Sequence, residues 1–435
     1  MRTAFPLALS LVALATTPLA AQQMPPVRPL GQVTHVSPKG VLGSVSMVRP
    51  LSSGGVIVND ITRRQVVLFD ASFANVKTIA EASPTAENNY AGPMAGLLAF
   101  TGDSSIFIEP RSLSMLVIDP KGDVARVMAL PSPRDAPFMV GGPFGIPGFD
   151  PRGRIVYRGS ALTVRNQGGM PTEDNAPPSG QFADSAPVYR INPSSRERET
   201  LSYISVPKQS VSSARDKTGK FTGMAILVNP MTLVDEWALM PDGRVAIVRG
   251  ADFHVDWLEL DGHWVSTPKI PFNWERMDDD AKQRVLDSTR VEADKTREKL
   301  KKAIEANPGD ANRMAASAGL PGVMVVATNP DGASGRPTQE VMVPTTTMVD
   351  AKRVADYRPA FRMGAVRADA EGNLWVRTTA PTDGGAIYDV INGKGQLVDR
   401  VKLPFGRVIA GFARGIVFLG VEDEAGARLE KAKIR

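Results

Sequence analysis

The chain has 435 residues, 43% of them hydrophobic and 22% charged, which excludes a disordered polymer and leaves ample material for a large core. Its net charge of +5 is a small excess over interleaved acids, with no polybasic run and no cluster of cations with aromatics, so a nucleic-acid partner is not expected. The chain has no cysteine, which excludes disulfides and a lipid-modified amino-terminal thiol.

Residues 1–22 follow the order of a secretory leader: Arg2, an apolar run from Ala4 to Ala15, then the small-residue stretch Ala20-Ala21-Gln22. The apolar run is shorter than the ~20 residues that span a bilayer, and no later segment is apolar enough to do so. A secreted or periplasmic location is therefore expected, with no transmembrane segment in the mature chain.

From Gly31 onward the sequence is rich in glycine (39) and proline (35) and poor in aromatics (6%), which suits many short strands joined by turns. A first unit reads Gly54 to Asn59, Gln65 to Asp70 and Val76 to Ala80. A second reads Ile106 to Glu109, Met115 to Asp119, the turn Pro120-Lys121-Gly122 and Val124 to Leu130. A third holds Asp150-Pro151-Arg152-Gly153, Arg154 to Arg158 and Val188 to Asn192. The stretches 159–184 and 205–229 interrupt this rhythm and read as long surface loops that shape the approach to one face.

The fourth unit is the clearest. Trp237-Ala238-Leu239 leads into Pro241-Asp242-Gly243, and the strands Arg244 to Val248, Phe253 to Leu260 and Trp264 to Ile270 follow. Four strands in about forty residues is the length of a propeller blade. The same order returns at Met363 to Arg367, Asp369-Ala370-Glu371-Gly372, Asn373 to Arg377, Ala386 to Ile391 and Gln396 to Leu403. The two turn glycines are 19 residues apart in the fourth unit and 23 in the fifth. Between these units, residues 273–360 form an insertion, and its charged stretch free of Gly and Pro, 278–306, predicts a helix packed over a propeller rim.

The last unit supplies only three strands: Val408 to Phe412, Gly415 to Gly420 and Arg428 to Ile434. The fourth is expected from Gln32 to Val36 at the opposite end, closing a ring of six blades. The fold class is thus all-β, a six-bladed β-propeller with amino- to carboxyl-terminal strand closure. Residues 31–435 make up the propeller domain, and the helical insertion lies between blades four and five.

The words Met240-Pro-Asp-Gly-Arg-Val-Ala-Ile-Val-Arg249 and Asp369-Ala-Glu-Gly-Asn-Leu-Trp-Val-Arg377 resemble the repeats of six-bladed propellers, the group that holds NHL-repeat, gluconolactonase-like and TolB-like proteins. Secreted bacterial members resemble it most. That group contains enzymes and binding modules alike, so the resemblance implies a fold and little chemistry.

Two sets of side chains are candidates for a site. Arg158, Arg249 and Arg377 leave equivalent second strands, where they form a cationic collar for a carboxylate or phosphate, or else pair with neighbouring acids. Asp60, Glu109, Asp235 and Glu236 form the alternative, oxygen ligands for calcium or another divalent cation as the gluconolactonase-like resemblance implies. His35, His254 and His263 are not expected to converge on a zinc ion. The leading expectation is a non-catalytic propeller that binds a small molecule or envelope protein and needs no cofactor. The alternative is a divalent-metal-dependent hydrolase or lactonase.

Overall fold

The computed structural model describes residues 24–435 except 84, 93, 143, 162–179, 182, 209, 216, 218–220, 307–323, 329–337, 344 and 424–425. The leader expected at 1–22 lies outside these residues.

Local turn chemistry sets the repeat. Asp369 accepts the backbone N–H groups of Glu371 and Asn373 at 2.9 and 2.8 Å through one carboxylate oxygen, while Gly372 turns the chain at φ 85°. Asp119 does the same for Lys121 and Asp123, Asp150 for Arg152 and Arg154, and Asn392 for Lys394 and Gln396. Each such turn joins two short antiparallel strands whose buried residues are mostly Val, Ile, Leu and aromatics.

Six of the sheets among the described residues are blades. Blade I comprises Met47–Pro50, Val56–Asp60, Gln65–Phe69 and Val76–Glu81. Blade II comprises Gly96–Ala99, Ser105–Glu109, Ser114–Ile118 and Val124–Ala129. Blade III comprises Gly148–Phe149, Ile155–Arg158, Ser185–Ile191 and Arg198–Ser205. Blade IV comprises Glu236–Leu239, Val245–Arg249, His254–Leu258 and Trp264–Ser266. Blade V comprises Phe361–Ala368, Leu374–Thr378, Ala386–Ile391 and Leu397–Leu403. Blade VI comprises Arg407–Ala413, Ile416–Asp423 and Gly426–Lys433, completed by Val33–Val36 from the other end of the chain. The closure expected from the sequence is therefore present. An additional strand, Val27–Pro29, runs parallel to Leu397–Leu403 on the outside of blade V, so the amino-terminal segment clasps two blades.

The core is not a single mass but a series of layers between blades. One buried cluster joins blades I to III, and others join III with IV, IV with V, V with VI, and VI with I. Trp237, Trp257 and Trp375 fill three of these layers and are fully buried, the interblade packing that their positions in strands suggest.

The interruptions differ from expectation. Instead of plain loops, the described parts of 159–184 and 205–229 contribute Gly180–Gln181, Ser210–Arg215 and Phe221–Val228 to a further four-stranded sheet. Its last strand, Thr345–Met348, comes from the insertion between blades IV and V and pairs in parallel with Phe221–Val228. The insertion also holds the helix Asp279–Ala306, capped by Asp278, whose carboxylate accepts the Ala281 N–H at 2.7 Å. Its Ala281, Val285 and Leu286 pack against Met231, Met277, Val349 and Val354, so the helix rests mainly on the accessory elements instead of on a bare blade rim.

Removing residues 24–36 takes away both clasping strands and leaves the outer edges of blades V and VI unpaired. The shortened chain is expected to unfold at a clearly lower denaturant midpoint than the full chain. Equal midpoints would contradict the clasp.

Candidate functional site

The first strands of the blades stand side by side around the axis and enclose a channel of about 510 Å³. One mouth of the channel lies where these strands begin and the second strands end. Arg158, Arg249, Arg377 and the four candidate carboxylates all occur at this level of their blades.

The structure separates the candidate metal ligands. Asp60 is wholly buried and accepts N–H groups from Gly43, Ser44, Thr62 and Arg63 as well as the Gln65 amide. Glu109 accepts the N–H groups of Arg111 and Ser112. Asp235 accepts those of Ser205 and Gly250 together with a guanidinium N–H of Arg249 at 2.9 Å. These three carboxylates fasten turns, and their oxygens are already engaged. Among the described residues no three His, Asp or Glu side chains are grouped to hold a metal ion. The residues present do not fit the divalent ion that the resemblance implies.

Glu236 differs from the other three. It opens the inner strand of blade IV, is 3% exposed, and has one oxygen bonded to the Gly364 N–H at 2.8 Å. Its other oxygen is buried without a partner. Gly364 reaches it from blade V because the inner strand there is bulged: Phe361 pairs with Thr378, yet Val366 already pairs with Val376. Gly364 adopts φ 78° within that bulge, a conformation suited to glycine. Burial pushes the Glu236 carboxyl up to about 7, against the opposing pull of the Gly364 N–H, Arg367 and Arg158, and Asp235 pushes in the same direction as burial.

Two arginines, Arg158 and Arg367, act on this carboxyl, and others lie beside them on blade V. Arg158, at the end of the second strand of blade III, is 6% exposed, lies 4.9 Å above the Phe144 ring and has a buried Nε without a partner. Burial lowers its pKa, and Glu236 raises it. Arg367, three residues beyond Gly364, donates to the carbonyls of Gly364 and Val366, and burial lowers its pKa too. Arg362 touches the Met231 sulfur and has its pKa lowered by burial first, then by the charges of Arg358 and Arg377. Arg377 is exposed beside it, and Arg377 and Arg367 together offset the upward effect of burial on the Tyr388 phenol. Arg358 is the exception, held by Glu275 at 2.7 Å.

Of the expected collar, then, Arg158 and Arg377 stand at the same mouth. Arg249 stands apart, committed to Asp235 and to Asp256 at 2.7 Å within its own blade. Arg362, Gly364 and Arg367 were not singled out by sequence reasoning. The one signal available was the segment 361–367, where two arginines, Arg362 and Arg367, interrupt an otherwise strand-like run. The result is a cluster at the junction of blades III, IV and V in which Arg158 and Arg367 act on the half-bonded Glu236 carboxyl, with Arg362 and Arg377 beside each other on blade V. Such an arrangement recognises an anion.

No family model matches the chain, and no curated protein matches it. Among solved structures, it is similar to six-bladed β-propeller proteins. Virginiamycin B lyase of Staphylococcus aureus with quinupristin is 11% identical, with 92% of this chain and 99% of that chain covered and a TM-score of 0.38. A gluconolactonase of Xanthomonas campestris is 10% identical, covering 96% and 99% at a TM-score of 0.38. Regucalcin, a calcium-binding protein of Agrobacterium tumefaciens, is 10% identical, covering 94% and 98% at 0.37. The chain is a six-bladed β-propeller by its own sheet order, and these neighbours say nothing further about its chemistry.

Because the Glu236 carboxyl titrates near 7 in the folded chain and at an ordinary lower value when unfolded, the folded state holds the extra proton between about pH 4.5 and 7. Its contribution to stability falls as the pH rises through that window, by roughly 3 kcal/mol in total. Glu236→Gln is expected to remove that part of the slope. Denaturant midpoints of both proteins across pH 4–8 check it, and parallel curves would refute the assignment.

Proposed function

We propose that this chain is an exported, secreted or periplasmic propeller that binds a small anionic molecule, without chemistry of its own, at the mouth between blades III, IV and V. The observation that carries this reading is the set of buried charged groups left incompletely bonded: the free oxygen of Glu236 and the free Nε of Arg158, with Arg367 also drawn out of water. Charged groups taken from water without full partners are costly, and an incoming carboxylate or phosphate supplies the acceptor that the Arg158 Nε–H lacks and to which Glu236 donates once protonated. Met231, which joins the accessory sheet to blade IV and touches Arg362, sets the accessory elements beside this entrance.

Isothermal titration with butanoate and with inorganic phosphate tests the reading. Arg158→Met and Arg377→Ala are each expected to weaken binding about tenfold, the loss of one charge-assisted contact, and Arg249→Gln to leave it unchanged. Binding should also tighten as the pH is lowered through about 7, where Glu236, flanked by Asp235, Arg158 and Arg367, takes up its proton and ceases to repel the ligand. No binding of either anion, or affinities indifferent to Arg158 and Arg377, would refute the proposal.

A further inference from the structure

The cavity of about 510 Å³ reaches the other end of the ring, where the inner strands run into their first turns at Pro241, Asp369 and Ala370, and neither Arg158 nor Glu236 lines it. Strand register dictates its wall. In an antiparallel pair every second residue exchanges both hydrogen bonds with its partner, and the residues between point their N–H and C=O groups the other way. The Met240 N–H bonds the Arg244 carbonyl at 2.9 Å, so Ala238, opposite Ala246, faces the second strand, while Trp237 and Leu239 face the axis. The same phase, set by the Phe100 N–H on Ser104 and the Asp369 N–H on Asn373, turns Leu97 and Ala99 of blade II and Val366 and Ala368 of blade V inward. Each inner strand ends its sheet, so these edges have no strand partner. Three blades thus present open strand edges to the cavity, with a donor and an acceptor at alternate residues.

Among the described residues the charged side chains of this wall are Arg49, Arg367 and Asp369. Both Asp369 oxygens are taken: one accepts the backbone N–H groups of Glu371 and Asn373, the other the Asn373 amide and the Trp375 indole N–H at 2.9 Å. Arg49 donates to the Pro50 carbonyl and is held by Asp103 of blade II at 3.2 Å, yet its buried Nε has no partner. Arg367 donates to the carbonyls of Gly364 and Val366 and forms no ion pair among the described residues. With its cations incompletely matched and its one carboxylate saturated, the wall favours the negative end of a ligand over a positive one.

We infer that this end of the channel takes the carboxyl terminus of an extended peptide, inserted carboxylate first toward the Arg49 Nε–H, with its backbone paired to an inner-strand edge. Inward groups on one strand, such as those of Leu97 and Ala99, are two residues apart, the spacing at which a second extended chain repeats its own N–H and C=O. A compact acid has no such repeat. The inner strands of blades I, II and IV are each four residues long, which sets the inserted length at about three or four residues. Blade II, joined to Arg49 through Asp103, offers the adjoining edge.

Titration calorimetry with acetylated trialanine, its carboxamide and forms N-methylated at one residue each tests this. The free acid should bind about tenfold tighter than the carboxamide, the worth of one charge-assisted contact. Methylation should weaken binding about fivefold, one backbone hydrogen bond, at alternate nitrogens and less at those between. Arg49→Met, checked for folding by near-ultraviolet circular dichroism, should erase the preference for the acid. Ala370→Trp, at an exposed turn position on the rim, should weaken the acid at least fivefold, and Arg158→Met should change nothing. No binding, equal affinities for acid and carboxamide, or a uniform response to methylation overturns the inference. So does an acid preference that survives Arg49→Met, or one that vanishes with Arg158→Met, which would put the carboxylate at the anion site. Should Arg49→Met fail to fold, Ala370→Trp decides, and an unchanged affinity there overturns the inference.

Discussion

The pairing of Val33–Val36 with Gly426–Lys433 is the constraint on which the ring depends. Blades stacked around an axis bury their faces only against neighbours, so an open ring leaves a face and its strand edges in water. The partners are almost the whole chain apart: Leu429 donates its N–H to the Ser37 hydroxyl across 392 residues. The clasp therefore cannot form until the last blade has been made, and contacts of such sequence separation form slowly. Every layer of the core, and the alignment of six inner strands around one channel, follows from that late step.

Within this frame the site is a local departure from regularity. Blades I, II and IV run their inner strands in plain register with the second strands, whereas blade V inserts a bulge at Arg362 to Ala365. The bulge aims the Gly364 N–H at Glu236 and brings Arg367 near it. A regular strand at that place would return these residues to alternating interblade positions. The charges so gathered are poor stabilisers, since burying ions without close partners works against folding.

Much of the architecture was legible because the turns have obligatory chemistry. Asp or Asn with a glycine shortly after it at Asp119, Asp150, Asp369 and Asn392 marks hairpins whatever surrounds them, and after Asp150 and Asp369 the second strands begin as short apolar runs. The inner strands were harder to read. Gly148–Phe149 is two residues long, and the bulge in Phe361–Ala368 breaks the alternation that identifies a strand. The accessory strands Ser210–Arg215 and Thr345–Met348 carry mostly Ser and Thr and resemble loops in composition. For the site, sequence position placed Arg158 and Glu236 at one level of the ring but in different schemes, one in a collar and one among metal ligands. Only tertiary structure shows that they face each other, and that Asp60, Glu109 and Asp235 are consumed by backbone amides.

The accessory sheet has a consequence for how such a chain arises. Its strands come from within blade III, from between blades III and IV, and from after blade IV, with Phe221–Val228 paired to Thr345–Met348 across the whole of blade IV. Neither insertion completes a layer alone, because each would leave an unsatisfied edge. Descendants that lost one would be expected to lose the other, so relatives should carry both extensions or neither, and a lineage with a single one should show that edge shortened, charged or covered.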